Sequence, residues 1–367
     1  MASNVFFTDL RTGFNNSLID KLKRVMNKAG FDSIDFEDKY AVIKMHFGEP
    51  GNLAFLRPNW AKAVADEVKK NGGKPFLSDC NTLYVGGRKN ALDHLDTANE
   101  NGFSPMSTGC QIIIGDGLKG LDDVEVPVDG EYVKEAKIGR AIMDADIFIS
   151  LNHFKGHEAT GFGGALKNIG MGCGSRRGKM EMHSAGKPNV TTEKCIGCRR
   201  CEKICAHGGP VFENGKCRID HDKCVGCGRC LAICPKNAIV EGTANSNDIL
   251  NCRMMEYAKA VLQDRPSFHI SIAIDISPNC DCHGENDAPI VPNIGIFASF
   301  DPVALDQACA DAVNRMPENP NTMLSDSEHT HHDHFDDVHP DTNWKQGLEY
   351  AEKIGLGTRE YNLITVK

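Results

Sequence analysis

Eight of the nine cysteines between positions 195 and 234 are the residues whose types and spacing point most directly to chemistry. They form two runs of the pattern C-x2-C-x2-C-x3-C. The two-residue gaps let successive thiolates of one tight loop face a single iron–sulfur cubane, and in a two-cluster arrangement the fourth cysteine of each run binds the other cluster. The spacing therefore predicts two [4Fe-4S] clusters, one held by Cys195, Cys198, Cys201 and Cys234, and the other by Cys224, Cys227, Cys230 and Cys205.

The alternative for these cysteines is a pair of zinc knuckles, which also use C-x2-C pairs. Zinc needs only four thiolates per site and no third cysteine at the same step. Residues 193–240 hold nine basic and five acidic side chains, an excess of +4. Two oxidised cubanes carry about −2 each and would cancel this excess. The segment resembles a bacterial two-cluster ferredoxin domain, although Ala206 stands where a proline often follows the first run.

Apolar runs and helical patterns alternate on both sides of this segment, which is typical of an α/β protein. The predicted strands are Tyr40–Phe47, Pro75–Asp79, Gln111–Ile114, Asp146–Leu151, Phe268–Ile276 and Ile294–Ala298. The predicted helices are Asn59–Asn71, Arg88–Asn101, Val133–Met143, Asp248–Leu262 and Asp301–Asn314. We therefore predict a Rossmann-like α/β host with a parallel or mixed sheet, formed by residues 1–187 and 244–367. A ferredoxin-like domain at residues 188–243 interrupts it.

Polar residues follow the predicted strands, where ligands bind in open α/β sheets because the carboxyl ends of the strands form a crevice. His46 and His157 are the candidate catalytic proton donors. The glycine-rich stretch after Leu151 supplies candidates for binding an anion or cofactor, namely Lys155, Gly163, Gly164, Lys167, Asn168 and Arg176. Glycines let backbone amides approach a ligand, and lysine or arginine holds anions. A hydrogen-bonded loop network, or a flexible loop packed beneath the cluster domain, would use the same residues.

A further group of metal-ligand residue types follows the predicted strand that ends at Ile276. Cys280, Cys282 and His283 combine soft sulfur with imidazole, which suits iron, nickel, copper or zinc. They predict a third metal site, and two unligated thiols are the alternative. Five histidines and three aspartates crowd into residues 329–339. We interpret that segment as a solvated loop that binds metal only adventitiously.

Composition and charge exclude several classes of protein. The net charge of −9 argues against a nucleic-acid binder, which presents a basic face to phosphates. The longest apolar runs fall far short of the roughly 20 residues of a membrane-spanning helix. The N-terminus carries no secretory pattern, so we expect a cytoplasmic protein, and 16 cysteines suggest an anaerobic host.

Several short motifs resemble the uncharacterised Fe–S centre proteins built on domain-of-unknown-function family 362. The motifs are Lys44-Met-His46-Phe-Gly-Glu49, Lys155-Gly-His157, Gly163-Gly164 with Lys167-Asn168, residues 279–283, Asp301-Pro302 with Asp306, and Ile354-Gly-Leu-Gly357. The resemblance covers nearly the full length. It implies an α/β host with a ferredoxin-like insertion, and it supplies no settled reaction.

A shorter stretch, residues 157–167 together with His183, resembles the core of the lactate racemase family, which uses a nickel pincer nucleotide. The resemblance implies an acid/base role for His157, a cofactor-anchoring role for Lys167 and nickel binding by His183. The match covers about 30 residues and departs from the family at Ala165-Leu166, where an arginine-containing step is usual. A racemase needs no net electron supply, so the ferredoxin-like segment has no part in that chemistry.

Three functions follow from these patterns. In the first, a redox enzyme passes electrons from an external ferredoxin, flavodoxin or reductase through two cubanes to a small anionic molecule, or to an additional metal or organic cofactor, in the α/β host. In the second, the host only docks a partner enzyme. In the third, the chain is a nickel-pincer isomerase. More than 300 residues beyond the cluster segment favour the redox enzyme, because a bare electron carrier needs none of them.

Overall fold

The computed structural model describes residues 2–83, 86–183, 187–224, 230, 233–236, 238–240 and 246–367. Its strands are β1 Ser3–Asp9, β2 Tyr40–Lys44, β3 Lys74–Asp79, β4 Gln111–Ile114, β5 Asp123–Pro127, β6 Glu135–Gly139, β7 Ile147–His153, β8 Lys155–His157, β9 Gly161–Gly163, β10 Asn189–Val190, β11 Pro210–Glu213, β12 Lys216–Ile219, β13 Ile239–Val240, β14 Ser267–Ala273, β15 Gly295–Ser299 and β16 Tyr361–Thr365. Its α-helices are α1 Leu18–Lys28, α2 Pro58–Lys70, α3 Ala91–Glu100, α4 Pro105–Thr108, α5 Arg140–Met143, α6 Ala165–Cys173, α7 Arg176–His183, α8 Arg200–Ile204, α9 Ser246–Leu262, α10 Pro302–Asn314, α11 His334–Val338 and α12 Trp344–Lys353. A short 3-10 helix covers Phe31–Ser33.

The central sheet has eight strands in the order β16-β1-β15-β14-β7-β2-β3-β4. Strands β14, β7, β2, β3 and β4 are paired in parallel, whereas β15 runs antiparallel to both of its neighbours, β14 and β1. The sheet is therefore mixed, and its parallel half consists of β14, β7, β2, β3 and β4. The α/β fold class predicted from the sequence is confirmed.

Both faces of the sheet are covered, because successive side chains of a strand point to opposite sides. Ala41 and Ile43 of β2 pack in one apolar core with residues of α1 and α2. Val42, between them, packs in the other core with residues of α6, α9 and α10. The parallel strands are thus almost wholly apolar, as expected for strands buried on two faces.

Most predicted elements are confirmed within a few residues, but the helix predicted at Val133–Met143 is wrong over its first half. Residues Glu135–Gly139 form strand β6, which pairs with β5, and only Arg140–Met143 are helical. Ala136 and Ile138 are buried, whereas Glu135 is exposed and Lys137 is half-buried, which is the two-residue alternation of a strand. Strands β1 and β16 and helix α1 were not predicted.

The glycine-rich stretch is ordered rather than a loop. It forms the hairpin β8–β9 and then helices α6 and α7. A side chain at Gly170 would collide with the Met254 carbonyl on α9, and one at Gly172 would collide with the Lys44 ammonium. These glycines allow close helix packing, so the interpretation as a flexible loop is wrong for this stretch.

The cysteine-rich segment has its own small apolar core, formed around Cys195, Cys201, Cys217 and Ile239. Its first and last strands, β10 and β13, pair antiparallel, and β11 and β12 form a hairpin between them. Among the described residues, no helix is long and apolar enough to cross a membrane.

The carboxylate of Asp306 on α10 anchors the start of α6, and its removal should destabilise the protein. Its two oxygens accept hydrogen bonds from the backbone nitrogens of Ala165 and Leu166, at 2.7 and 2.9 Å. Asp306→Ala leaves these buried groups without acceptors, so we expect the free energy of unfolding to fall by about 1–3 kcal/mol. Urea unfolding of the anaerobic protein measures this.

The same carboxylate should make stability depend on pH. Burial raises the pKa of Asp306 to about 7, above its value of about 3.9 in an unfolded chain. The stability that Asp306 contributes is therefore complete below about pH 4 and is lost as the pH rises through 7. Asp306→Ala should reduce this dependence, whereas Asp129→Asn, at a 98% exposed side chain whose positive φ asparagine tolerates, should leave the pH dependence unchanged. An Asp306→Ala protein as stable as the wild type would contradict this role.

Candidate functional site

A cavity of about 80 Å³ lies beyond the carboxyl ends of four adjacent parallel strands, β14, β7, β2 and β3. This is the edge of an α/β sheet at which ligands bind. The residues that line it include Lys44, His46, Asp79, Cys80, Thr82, Leu83, Arg88, His153, Lys155, His157, Gly163, Gly164, Lys167, Asn168, Lys179, His183, Cys280 and Cys282. Segments distant in sequence therefore contribute to one site.

The structure brings together most of the residues that the sequence proposed for the host. His46, Lys155, His157, Gly163, Gly164, Lys167, Asn168, His183, Cys280 and Cys282 all line the cavity. Arg176 lies outside the lining, and its Nη1 donates to the Lys119 carbonyl oxygen at 3.3 Å. His283 stands beside the cavity, where its Nε2 lies 2.8 Å from a Glu158 carboxylate oxygen.

Buried ion pairs form the inner wall of the cavity. The Lys44 ammonium lies 2.9 Å from Asp79 and 2.7 Å from the side-chain oxygen of Asn168. Burial alone would raise the pKa of Asp79, but the positive charge of Lys44, with smaller contributions from neighbouring groups, holds this pKa below its usual value. Lys44 and Asp79 end strands β2 and β3, so this pair joins two strands and α6 at one point.

A second acidic group, Asp281, pairs with basic side chains on the other side of the cavity. One of its oxygens lies 2.7 Å from His153 Nδ1, and the other lies 3.4 Å from the Lys155 ammonium. Arg88 is likewise held, since its Nε lies 2.7 Å from Glu49. The sequence analysis assigned no role to Lys44, Arg88, Lys179 or Asp281. A charged residue at the end of a buried strand is the signal by which Lys44 and Asp79 were recognisable.

Two histidines present N–H groups rather than lone pairs to the cavity. The Nδ1 of His46 accepts a hydrogen bond from the Gly48 backbone nitrogen at 3.0 Å. The Nδ1 of His157 accepts from the backbone nitrogens of Ala159 and Thr160, at 3.0 and 3.3 Å. A backbone nitrogen can only donate, so in the neutral ring the proton must sit on Nε2. Both rings are therefore hydrogen-bond donors at Nε2.

The two thiols differ in acidity. The Lys167 ammonium lies 3.3 Å from the Cys280 sulfur. A hydrogen bond from Cys282 and the charge of Lys167 lower the pKa of Cys280 well below its usual value, although burial opposes them. The same hydrogen bond raises the pKa of Cys282. Cys280 is therefore the more acidic thiol of the pair.

Two groups of potential metal ligands occur among the described residues. His157, Cys280 and Cys282 bring one ligand atom each within 4.8 Å of one another, and so do Glu158, Cys282 and His283. The histidine-rich residues 329–339 form no such group in the described chain. There, His334 and His339 instead lie 2.9 and 2.7 Å from the carbonyl oxygens of Met316 and Pro278.

In the cysteine-rich segment, four of the predicted cluster ligands surround a second, smaller cavity of about 20 Å³. They are Cys195, Cys198, Cys201 and Cys234. Backbone nitrogens of Cys217 and Ala238 donate to the sulfurs of Cys195 and Cys234, at 3.4 and 3.3 Å. Cys217, which the sequence analysis did not select, lies with its sulfur 3.6 Å from that of Cys201. Of the second set, Cys227 lies outside the described residues.

The cysteine-rich segment approaches the large cavity at Leu83. His207, two residues after Cys205, interacts with the Leu83 backbone, and its pKa is lowered by burial and by the nearby charges of Arg176 and Lys89. Leu83 lines the large cavity. Arg176, which the sequence proposed as an anion holder, therefore belongs to the contact between the segment and the host.

The fold and the site define a mixed α/β protein with a buried, cation-lined cavity at the carboxyl edge of its sheet. The chain belongs to the family described as Domain of unknown function (DUF362), whose model matches residues 41–311. A thylakoid-associated protein of Synechocystis sp. is 29% identical over 139 residues, and this match covers 38% of the present chain and 39% of that relative.

Two solved structures are similar to this chain at low identity. The lactate racemase apoprotein from Thermoanaerobacterium thermosaccharolyticum matches with a TM-score of 0.41 and 12% identity, over 74% of this chain and 51% of its own. A protein from Thermotoga maritima matches with a TM-score of 0.42 and 13% identity, over 82% of this chain and 60% of its own. The present chain thus spans between half and two thirds of these structures.

The buried pair of Lys44 and Asp79 predicts a large loss of stability when one partner is removed. Lys44→Met leaves the Asp79 carboxylate buried without its nearest cation, so the free energy of unfolding should fall by about 3–5 kcal/mol. Lys62→Met is the matched control, since its 3.0 Å pair with Asp66 is half-exposed on a helix and should contribute under about 0.5 kcal/mol. Urea unfolding that gives equal losses for the two variants would contradict this account.

Proposed function

We propose that this protein is an iron–sulfur redox enzyme. In this proposal two [4Fe-4S] clusters, held by the domain at residues 188–243, exchange electrons with a small anionic molecule bound in the large cavity. The observation that carries the proposal is the set of five cationic side chains that line this cavity, namely Lys44, Arg88, Lys155, Lys167 and Lys179. Asp79, Glu49 and Asp281 pair with Lys44, Arg88 and Lys155, and burial of the remaining positive charge is costly unless a further anion balances it.

Unsatisfied donors support an anionic ligand. The Nε2 of His46 and the Nη2 of Arg88 are buried and have no hydrogen-bond partner among the described atoms. Both residues line the cavity. A buried donor without an acceptor costs about 1–3 kcal/mol, so a site that retains two of them suits a ligand with acceptor oxygens. A host that only docked a partner enzyme would have no use for them.

The cysteine geometry supports cubanes over zinc. Two thiolates on one tetrahedral zinc ion lie about 3.8 Å apart, since each Zn–S bond is about 2.3 Å. In the described part of the segment, no three cysteine sulfurs lie within 4.8 Å of one another. A cubane separates its ligands more widely, because each thiolate binds a different iron. The backbone donors at Cys195 and Cys234 suit thiolates.

The chain path supports electron exchange between the segment and the cavity. His183 lines the cavity, and the first strand of the cysteine-rich segment begins at Asn189. Six residues span at most about 22 Å when fully extended. The contact of His207 with Leu83 is a second link. In the proposed reaction each cluster carries one electron, the Nε2–H group of His157 donates a hydrogen bond to the bound molecule, and the ammonium of Lys167 holds the anion.

Metal analysis of single-cysteine variants tests the cluster assignment. The anaerobically purified protein should contain about eight irons and eight sulfides per chain. Cys198→Ala should lose about half of the iron, because Cys198 is proposed to bind one cluster only. Cys110→Ala, at a buried cysteine in the host core, should keep all of it. Zinc in place of iron in the wild-type protein would overturn the assignment.

Reoxidation of reduced clusters tests the enzyme proposal. Clusters reduced anaerobically are mixed with a panel of small anionic compounds, and absorbance follows their reoxidation. For a compound that reacts, His157→Ala and Lys167→Ala should slow the reaction by about 100-fold, because a hydrogen-bond donor and an anion-binding charge are lost. His331→Ala, at an exposed histidine outside the cavity, is the control. Unchanged rates in the His157 and Lys167 variants would sink the proposed roles.

A nickel-pincer isomerase is the second candidate, favoured by one observation. His157, Lys167 and His183, to which the racemase resemblance gives roles, all line the same cavity. Burial lowers the pKa of His183 to about 3, so its ring is neutral, as a metal ligand requires. Bound nickel would supply hydride chemistry. Nickel in the purified protein at about one ion per chain would favour this candidate, and its absence would exclude it.

A further inference from the structure

Cys280 and Cys282 meet at the cavity after strand β14. Both line it, and their sulfurs lie within 4.8 Å of each other. A backbone hydrogen bond of 3.0 Å from the His283 nitrogen to the Cys280 carbonyl closes a turn around them. The turn keeps both side chains on the cavity side, where they form a hydrogen bond to each other.

The neighbours of this pair do not complete a metal site in the arrangement observed. His157 would need a lone pair at Nε2 to bind a metal with the two thiols, but its Nδ1 accepts two backbone N–H groups and leaves the proton on Nε2. The other group of potential ligands, Glu158, Cys282 and His283, excludes Cys280. Instead, Cys280 has the Lys167 ammonium at 3.3 Å.

We propose that Cys280 and Cys282 form a dithiol–disulfide couple that stores two electrons beside the cavity. Oxidation forms the bond between the two sulfurs and releases two electrons and the proton of Cys282. Reduction breaks that bond, returns one proton to Cys282 and leaves Cys280 as a thiolate paired with Lys167. The electrons come from the two clusters, one from each, so this reductant rests on the proposed function.

The chemistry of thiol exchange agrees with this asymmetric pair. A thiolate is the attacking species in disulfide formation, and a nearby cation stabilises it. Cys280 has that cation in the Lys167 ammonium, 3.3 Å from its sulfur, and the Cys282 sulfur lies within 4.8 Å as the partner in the bond. The couple also solves a problem of electron count. Each cluster carries one electron, whereas most reactions of small organic molecules consume two.

Differential alkylation of the full-length protein tests the couple. The anaerobic protein is equilibrated in buffers of increasing dithiothreitol disulfide-to-dithiol ratio, and free thiols are labelled after denaturation. No lysine or arginine lies between Arg265 and Arg315, so one tryptic fragment contains Cys280, Cys282 and the buried Cys309. Fragmentation by mass spectrometry assigns each label. We expect Cys280 and Cys282 to lose their labels together while Cys309 keeps its label throughout.

Two variants separate the couple from accidental oxidation. Cys282→Ala should leave Cys280 labelled in every buffer and leave the iron content unchanged. Lys167→Met should shift the equilibrium towards the disulfide by about tenfold, because the thiolate loses its cation. The conservative Lys167→Arg keeps the positive charge, so it should shift the equilibrium much less. A shift of equal size in both Lys167 variants would contradict the role of the charge.

Several outcomes would overturn the inference. One is a fragment in which both cysteines stay labelled under all conditions. Another is a stoichiometric zinc or nickel ion that a chelator must remove before the two thiols can be labelled. Failure of the proposed function is distinguishable, because it appears in the iron and sulfide content. If the protein contains iron but the two thiols do not oxidise, only the dithiol–disulfide couple is contradicted. If the two thiols oxidise but the protein contains no iron, only the cluster-fed enzyme is contradicted.

Discussion

The buried ion pair between Lys44 and Asp79 is the interaction on which the site depends. It lies 1% and 3% exposed where two parallel strands end, so neither charge can be hydrated. Each charge needs its partner and further hydrogen bonds, which Asn168 supplies to Lys44 from helix α6. This requirement fixes the helix against the sheet and leaves room only for hydrogen at Gly172. The anchored helix in turn carries Lys167 to the cavity.

The topology explains why this cavity lies where it does. Four parallel strands present their carboxyl ends at one edge, and the chain leaves each of them through residues that contribute to the lining. Helix α7 ends at His183 in that lining, and α9 resumes the host at residue 246. The cysteine-rich segment therefore leaves and rejoins the host near the site. An insertion elsewhere in the fold would have no such access.

The sequence predicted the fold well where burial is simple and poorly where packing is special. The strand Ile147–His153 begins with a mainly apolar run and was predicted as Asp146–Leu151. No helix was predicted between Gly161 and Gly174, and a flexible loop was one alternative for that stretch. Its helix exists because Asp306 caps it and because close contact with Met254 requires glycine. Neither tertiary contact is visible in a local sequence pattern.

Some residues of the site could likewise be recognised from the sequence, and others could not. Histidines, thiols and lysines in the loops were recognisable by residue type, whereas Arg88 was recognisable only as the start of a predicted helix. Arg176 shows the reverse error, since this basic residue near a predicted site packs against Gly120 and donates to the Lys119 carbonyl instead. Distance along the chain does not determine which side of a helix faces a cavity. That depends on packing, which here places Lys179 in the lining and Arg176 outside it.

The fixed protonation of His46 and His157 limits the chemistry of the cavity more than its shape does. Backbone nitrogens hold Nδ1 of both rings, so each ring offers a donor at Nε2. Together with the lysines, these donors make a cavity that favours electron-rich ligands. The Nε2 of His46 is buried without a hydrogen-bond partner among the described atoms, which reduces stability, and proteins retain such donors where a ligand supplies the missing acceptor.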